Sequence, residues 1–144
     1  MKYYLIIPAH NEADFIALTL ESLVSQSVVP SKVVIVNDNS TDDTKYLIDE
    51  FKKAFKNINH VLLTQEAIMI AGKKFPLSMG IKSAKYEIVL LTDADCVPAT
   101  EHWIKKMQAA YTDNIEIVLG YGAYRKKPGF LNKLIRFETF HTAL

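Results

Sequence analysis

The sequence predicts an α/β fold built on a mainly parallel sheet with helices on both faces. Short aliphatic and β-branched runs alternate along the chain with stretches of helical period, the order expected of successive β-α-β units. The runs are apolar without interruption, as strands covered on both faces are. Polar clusters follow three of them, at what would be the carboxyl ends of the strands, the edge where open α/β sheets bind ligands.

Taken in order, residues 3–7 form the first strand, and residues 12–26 carry Phe15, Ile16, Leu18, Leu20, Leu23 and Val24 at helical spacing. Residues 32–36 are a β-branched run of strand length. Residues 41–55 are helical, with Leu47, Ile48, Phe51 and Phe55 on one face and lysines on the other. A short strand at 60–63, a helix over 74–84 and a strand at 87–92 follow. A helix over 100–111 places Trp103 and Met107 on one face, where Trp103 is expected to be core packing. Residues 115–119 read as a fifth strand. A final helical pattern over 131–140 carries an apolar face of Phe130, Leu131, Leu134, Ile135, Phe137 and Phe140.

At 144 residues the chain has the size of one domain, and its apolar content is enough for a core. A net charge of +1 argues against a nucleic-acid binder that relies on a broad basic surface. The single cysteine, Cys96, forms no internal disulfide and fits a reducing cytoplasm. No signal peptide begins the chain, and no stretch approaches the roughly twenty apolar residues that span a bilayer. His10, His60, His102 and His141 are scattered without zinc-ligand spacing, and the glycine patterns of phosphate-cradling loops are absent.

The chemistry-bearing residues are Pro8-Ala9-His10-Asn11-Glu12 after the first strand, Asn37-Asp38-Asn39-Ser40-Thr41-Asp42 after the second, and Asp93-Ala94-Asp95 after the acid-tipped strand. Each has an ordinary reading as a helix cap or a solvated turn. Together they point to a site, because caps alone would not require three strands to end in ligand-like residues at one edge. A buried strand cannot carry two charges through its interior, so Asp93 and Asp95 must sit where the strand emerges. Two residues apart on extended backbone, they point to the same side and can converge on one hard cation, Mg²⁺ or Mn²⁺.

These three segments, in this order and spacing, resemble the signatures of the family-two inverting glycosyltransferases of the GT-A fold, and the resemblance includes Ala71-Gly72-Lys73 and Gly80-Ile81 between them. It implies a GT-A (Rossmann-like) sheet, with residues 1–144 as the nucleotide-sugar-binding part of a longer catalytic domain, truncated before the acceptor-binding half. It further implies that Pro8, Ala9, Glu12 and Ala94 line the nucleotide pocket. Asp38 would accept the imide N–H of uracil, a donor that suits a carboxylate. By the same resemblance Gly72 and Lys73 lie beside the nucleotide, Asp93 contacts ribose or the metal shell, and Asp95 holds Mg²⁺ or Mn²⁺ bridging the two phosphates. Two positions depart from the family pattern: Asn37 stands where Asp is frequent, and Asn39 where Gly is common.

The implied reaction transfers a sugar, of hexosyl type, from a UDP-sugar donor to a hydroxyl of a saccharide or lipid-linked acceptor, with inversion at the anomeric carbon. The general base such a displacement needs is expected beyond Leu144, since Glu138 comes too soon after Asp95, and the fragment alone is expected to be inactive. Cell-envelope polysaccharide synthesis on the cytoplasmic side of a membrane is the implied setting. Arg125, Lys126, Lys127, Lys133 and Arg136, five cations within twelve residues, could add peripheral membrane contact. Two other readings compete. The acid-tipped strand also resembles the Asp-x-Asp of haloacid-dehalogenase-like phosphatases, although no second acidic pair follows in the forty-nine residues after Asp95. A nucleotide-binding module without catalysis is the third.

Overall fold

A computed structural model describes residues 2–63 and 72–143. They divide into two compact units, residues 1–108 and 109–144. The first is a parallel sheet of four strands among the described residues: β1 (Tyr4–Ala9), β2 (Lys32–Asp38), β3 (Ile58–Leu63) and β4 (Val89–Leu91), in the order β3-β2-β1-β4. The helices are α1 (Ile16–Val24), α2 (Thr44–Ala54), α3 (Lys74–Ser83), α4 (Trp103–Ala110) and, in the second unit, α5 (Phe130–Thr142).

The period of two in the strands sorts the core into two layers. Leu5, Ile7 and Ala9 of β1 and Val33 and Ile35 of β2 pack with Ile16, Leu20 and Leu23 of α1 and Ile48 of α2. The alternate residues Tyr4, Ile6, Val34 and Val36 pack on the opposite face with Phe75, Leu77 and Met79 of α3. The uninterrupted apolar runs are thereby explained, since both faces of β1 and β2 are covered. Trp103 packs against the first layer, as its place on an apolar helix face leads one to expect. Gly80 lets α3 lie directly on the sheet: a Cβ there would come within 2.4 Å of the Ile6 side chain and 3.2 Å of that of Val36.

Two local expectations are corrected. The first helix starts at Ile16 rather than at residue 12, because residues 12–15 form a turn in which the Glu12 carbonyl accepts the N–H groups of Phe15 and Ile16. Residues 115–119 are not a strand, and Ile117 and Leu119 are 76% and 89% exposed. A β-branched run becomes a strand only against a neighbouring edge, and these residues pair with none among those described. In the second unit Asn132 ties the basic turn to α5, donating to the Arg125 carbonyl and accepting from the Lys127 N–H. No helix of the described residues is long and apolar enough to cross a membrane.

Candidate functional site

Because β1 lies between β2 and β4 and all three run in parallel, their following loops emerge side by side at one edge. The pairing ends at Ala9↔Asn37 on one flank, and beyond Ile6↔Leu91 the Thr92 N–H still reaches the Ile6 carbonyl on the other. Pairing therefore brings the loop with Glu12 between the Asp38 loop and the Asp93–Asp95 loop. Residues 12, 38, 93 and 95, dispersed in sequence, share one edge. Ala71 lies outside the described residues, whereas Gly72 and Lys73 open α3 beside this cluster, Gly72 at φ +90°, a conformation natural to glycine.

The electrostatics of the edge centre on Lys73, whose Nζ lies 3.0 Å from Asp93 Oδ2. Partial burial alone would lower the Lys73 pKa, but the hydrogen bond to Asp93 and the charges of Asp93, Asp95 and Glu12 outweigh it and hold the ammonium above its ordinary value. Glu12 is pushed the other way for a carboxylate: burial and then the negative charge of Asp95 raise its pKa, with Lys73 giving partial relief. Three carboxylates thus face one ammonium, and the excess of negative charge is what a divalent cation would neutralise.

The donor set fits such an ion. Asp93, Asp95 and Cys96 each present a ligand atom, all within 4.8 Å of one another. Burial, then Asp95 and Asp93, raise the Cys96 thiol's pKa, and the two carboxylates offer the hard oxygen ligands such an ion takes. That chemistry matches Mg²⁺ or Mn²⁺ rather than a soft, thiolate-bound metal.

The remaining residues singled out in the sequence divide between surface and support. Asp38 and Pro8 are half-buried at the edge, and Asp95 is exposed. Ala9 and Ala94 are buried in the core, so they offer the edge their backbone, and the Ala94 carbonyl is already taken by the Thr19 hydroxyl at 2.7 Å. Asn37 is buried and accepts the Ser40 N–H through Oδ1, while Asn39 makes the turn at φ +51°. Both departures from the family pattern therefore serve the turn that carries Asp38.

Of the residues that hold the three loops together, the sequence singled out only Asp42. Thr19, buried on α1, anchors the loop of the acidic pair. Gln26 donates to the Thr100 carbonyl and accepts the Ile104 N–H, fixing the chain after that loop. Asp42 accepts the Ala13 N–H, and the Thr44 hydroxyl accepts that of Glu12, joining the first two loops. A buried Thr on an apolar helix face was the one signal available for Thr19.

Residues 4–142 match the family described as Glycosyl transferase family 2. A poly(ribitol-phosphate) beta-glucosyltransferase of Bacillus spizizenii is 29% identical over 122 residues, which are 83% of this chain and 19% of that protein. S. aureus TarS 1-349 in complex with UDP-GlcNAc superposes with a TM-score of 0.65 at 28% identity, covering 76% of this chain and 30% of that one. The mannosyltransferase PcManGT from Pyrobaculum calidifontis, in complex with GDP-Man and Mn²⁺, gives a TM-score of 0.62 at 27% identity, over 70% of this chain and 29% of that one. The chain spans about a fifth to a third of the length of these relatives.

Proposed function

Since the chain belongs to glycosyl transferase family 2, we propose that residues 1–144 form the nucleotide-sugar-binding part of an inverting, metal-dependent hexosyltransferase that uses a UDP-sugar. The observation that carries this reading is the single edge at which Glu12, Asp38, Lys73, Asp93 and Asp95 meet. Asp38 receives the base through a ring N–H, Lys73 faces the diphosphate, and Asp93 and Asp95 are the ligands of Mg²⁺ or Mn²⁺. The cation, when bound, neutralises charge on the departing diphosphate. Pro8, Ala9, Gly72 and Ala94 bound the nucleotide through backbone and small surfaces, which allow close approach. Displacement of the diphosphate by a hydroxyl of a saccharide or lipid-linked acceptor inverts the anomeric carbon. The family match over residues 4–142 favours this reading over the phosphatase one.

TarS binds UDP-GlcNAc and PcManGT binds GDP-Man, so the family alone leaves the base open. Asp38 is the residue we assign to that choice. Asp38→Asn is expected to weaken UDP binding about tenfold with or without Mn²⁺, because the amide keeps one acceptor but loses the charge that strengthens the hydrogen bond. Calorimetry checks it: an equal loss for UDP, GDP and ADP would mean that Asp38 acts through general charge and not on the base.

The exposed basic turn of Arg125, Lys126 and Lys127, with Lys133 and Arg136, we assign to an anionic membrane surface on the cytoplasmic side, where a lipid-linked acceptor of cell-envelope synthesis would lie. Near such a surface each cation contributes about 1 kcal/mol, screened as salt rises. Wild-type protein should float with anionic vesicles at low salt and a variant with these five cations changed to Gln should not. Equal partitioning of the two would remove the membrane assignment.

A further inference from the structure

We infer that His10 is a positioning residue for Asp38, acting through a hydrogen-bond relay that joins the loop after β1 to the loop after β2. The inference rests on the nucleotide reading of Asp38 given above. The relay has three links: Thr41 N to Asn11 Oδ1 at 2.8 Å, Asn11 Nδ2 to His10 Nε2 at 3.3 Å, and His10 Nδ1 to the Asp38 carbonyl oxygen at 2.6 Å.

Each link permits only one assignment of protons. The Thr41 N–H can only donate, so the amide atom facing it is oxygen, and the Thr41 hydroxyl at 3.3 Å donates to the same oxygen. The amide nitrogen then faces His10, and because it too can only donate, Nε2 must present its lone pair. The ring proton is left on Nδ1, where it meets a carbonyl that can only accept. The relay thus fixes one histidine tautomer, with hydrogen on Nδ1, the reverse of what an imidazole favours free in water.

The geometry around the relay shows why both loops depend on it. Asn11 and Asn39 both adopt left-handed backbone, at φ +53° and +51°, which Asn tolerates better than most residues. The Asn11 N–H also donates to the Ser40 hydroxyl at 3.0 Å. His10 therefore grips the backbone of Asp38 itself, from a loop already tied to the far side of the same turn. Holding that peptide sets the direction of the Asp38 side chain before a base arrives, which removes an ordering cost from binding.

Two variants separate the donor from the ring. His10→Phe keeps a flat ring and removes the Nδ1 donor. His10→Asn loses the ring but places an amide N–H where Nδ1 stood. UDP affinity should fall about tenfold in His10→Phe and return to within about threefold of wild type in His10→Asn, the effect of one neutral hydrogen bond. Affinity for pyrophosphate with Mn²⁺, a probe without a base, should be the same in all three proteins. Two-dimensional ¹⁵N NMR of the wild-type imidazole should show hydrogen on Nδ1. Hydrogen on Nε2, equal UDP losses in both variants, or a matching loss for pyrophosphate would each overturn the positioning role. If wild-type protein fails to bind UDP at all, the nucleotide reading falls and the role falls with it, while an Nδ1–H signal would still identify the relay as a structural tie.

Discussion

Gly80→Val should leave little folded protein at physiological temperature, and Gly80→Ala should lower the thermal midpoint by about 10 °C. The cause is the approach of α3 to the sheet. An added Cβ would stand 2.4 Å from the Ile6 side chain, and Ile6 sits fully buried on the central strand β1 with no room to retreat. Overpacking a core costs about 1–3 kcal/mol, an approach this close to a buried side chain belongs at about 3, and alanine's better helix propensity returns about 1 kcal/mol of it. A net loss of about 2 kcal/mol in a unit of this size corresponds to roughly 10 °C. Valine adds two methyls to the same collision, which the helix can meet only by leaving the sheet. Because Lys73 and Gly72 open that helix, lifting it also draws Lys73 away from Asp93, so residual folded protein should show weakened diphosphate binding. Gly122→Ala is the control, since a Cβ there meets nothing within 4 Å. Equal melting of the Gly80→Ala and Gly122→Ala proteins would contradict the close packing of α3.

Asp95→Ala should remove nearly all metal dependence from nucleotide binding while leaving the fold in place. Asp95 is exposed at the strand-end loop, so no core packing is lost. Its charge also raises the Glu12 pKa, so the substitution relieves repulsion within the cluster and should keep stability within about 0.5 kcal/mol of wild type. An ion held by the proposed pair, by contrast, would lose one of its two hard ligands, and a loss of about 3 kcal/mol is roughly a hundredfold in affinity. Calorimetry with UDP, with and without Mn²⁺, and a thermal melt of the same sample read the two effects separately. Unchanged Mn²⁺-dependent affinity would sink the ligand assignment of Asp95.

Much of this fold was legible in the sequence because burial on both sides leaves an unmistakable mark. Residues 32–36 are apolar at every position from Val33 onward, and both layers of the core draw on that run. The strand-end clusters were legible for a related reason: where the buried run of β2 ends in Asn37-Asp38, charge must mark the edge, and the half-buried to exposed β4 is followed by Asp93-Ala94-Asp95 in the same way. Element ends were harder, since the residues that stand just before α1 and α2, Phe15 and Asp43, make no side-chain hydrogen bond to the helix start. The run at 115–119 misled because strand propensity describes a residue's fit to a pleated surface and says nothing of whether a partner strand exists. The Lys73–Asp93 pair, the Thr19 anchor and the His10 relay join residues 20, 75 and 28 positions apart, respectively. Such contacts depend on which strands become neighbours, and no local pattern of Thr or His encodes that.

The central claim is that this edge binds a uridine diphosphate through a carboxylate for the base and a carboxylate pair for a metal. Titration of the wild-type chain with UDP, GDP and ADP, each with and without Mn²⁺, tests it most directly. UDP should bind tightest, and Mn²⁺ should tighten it further. Equal affinity for the three nucleotides, a preference for GDP or ADP, or indifference to Mn²⁺ would contradict it.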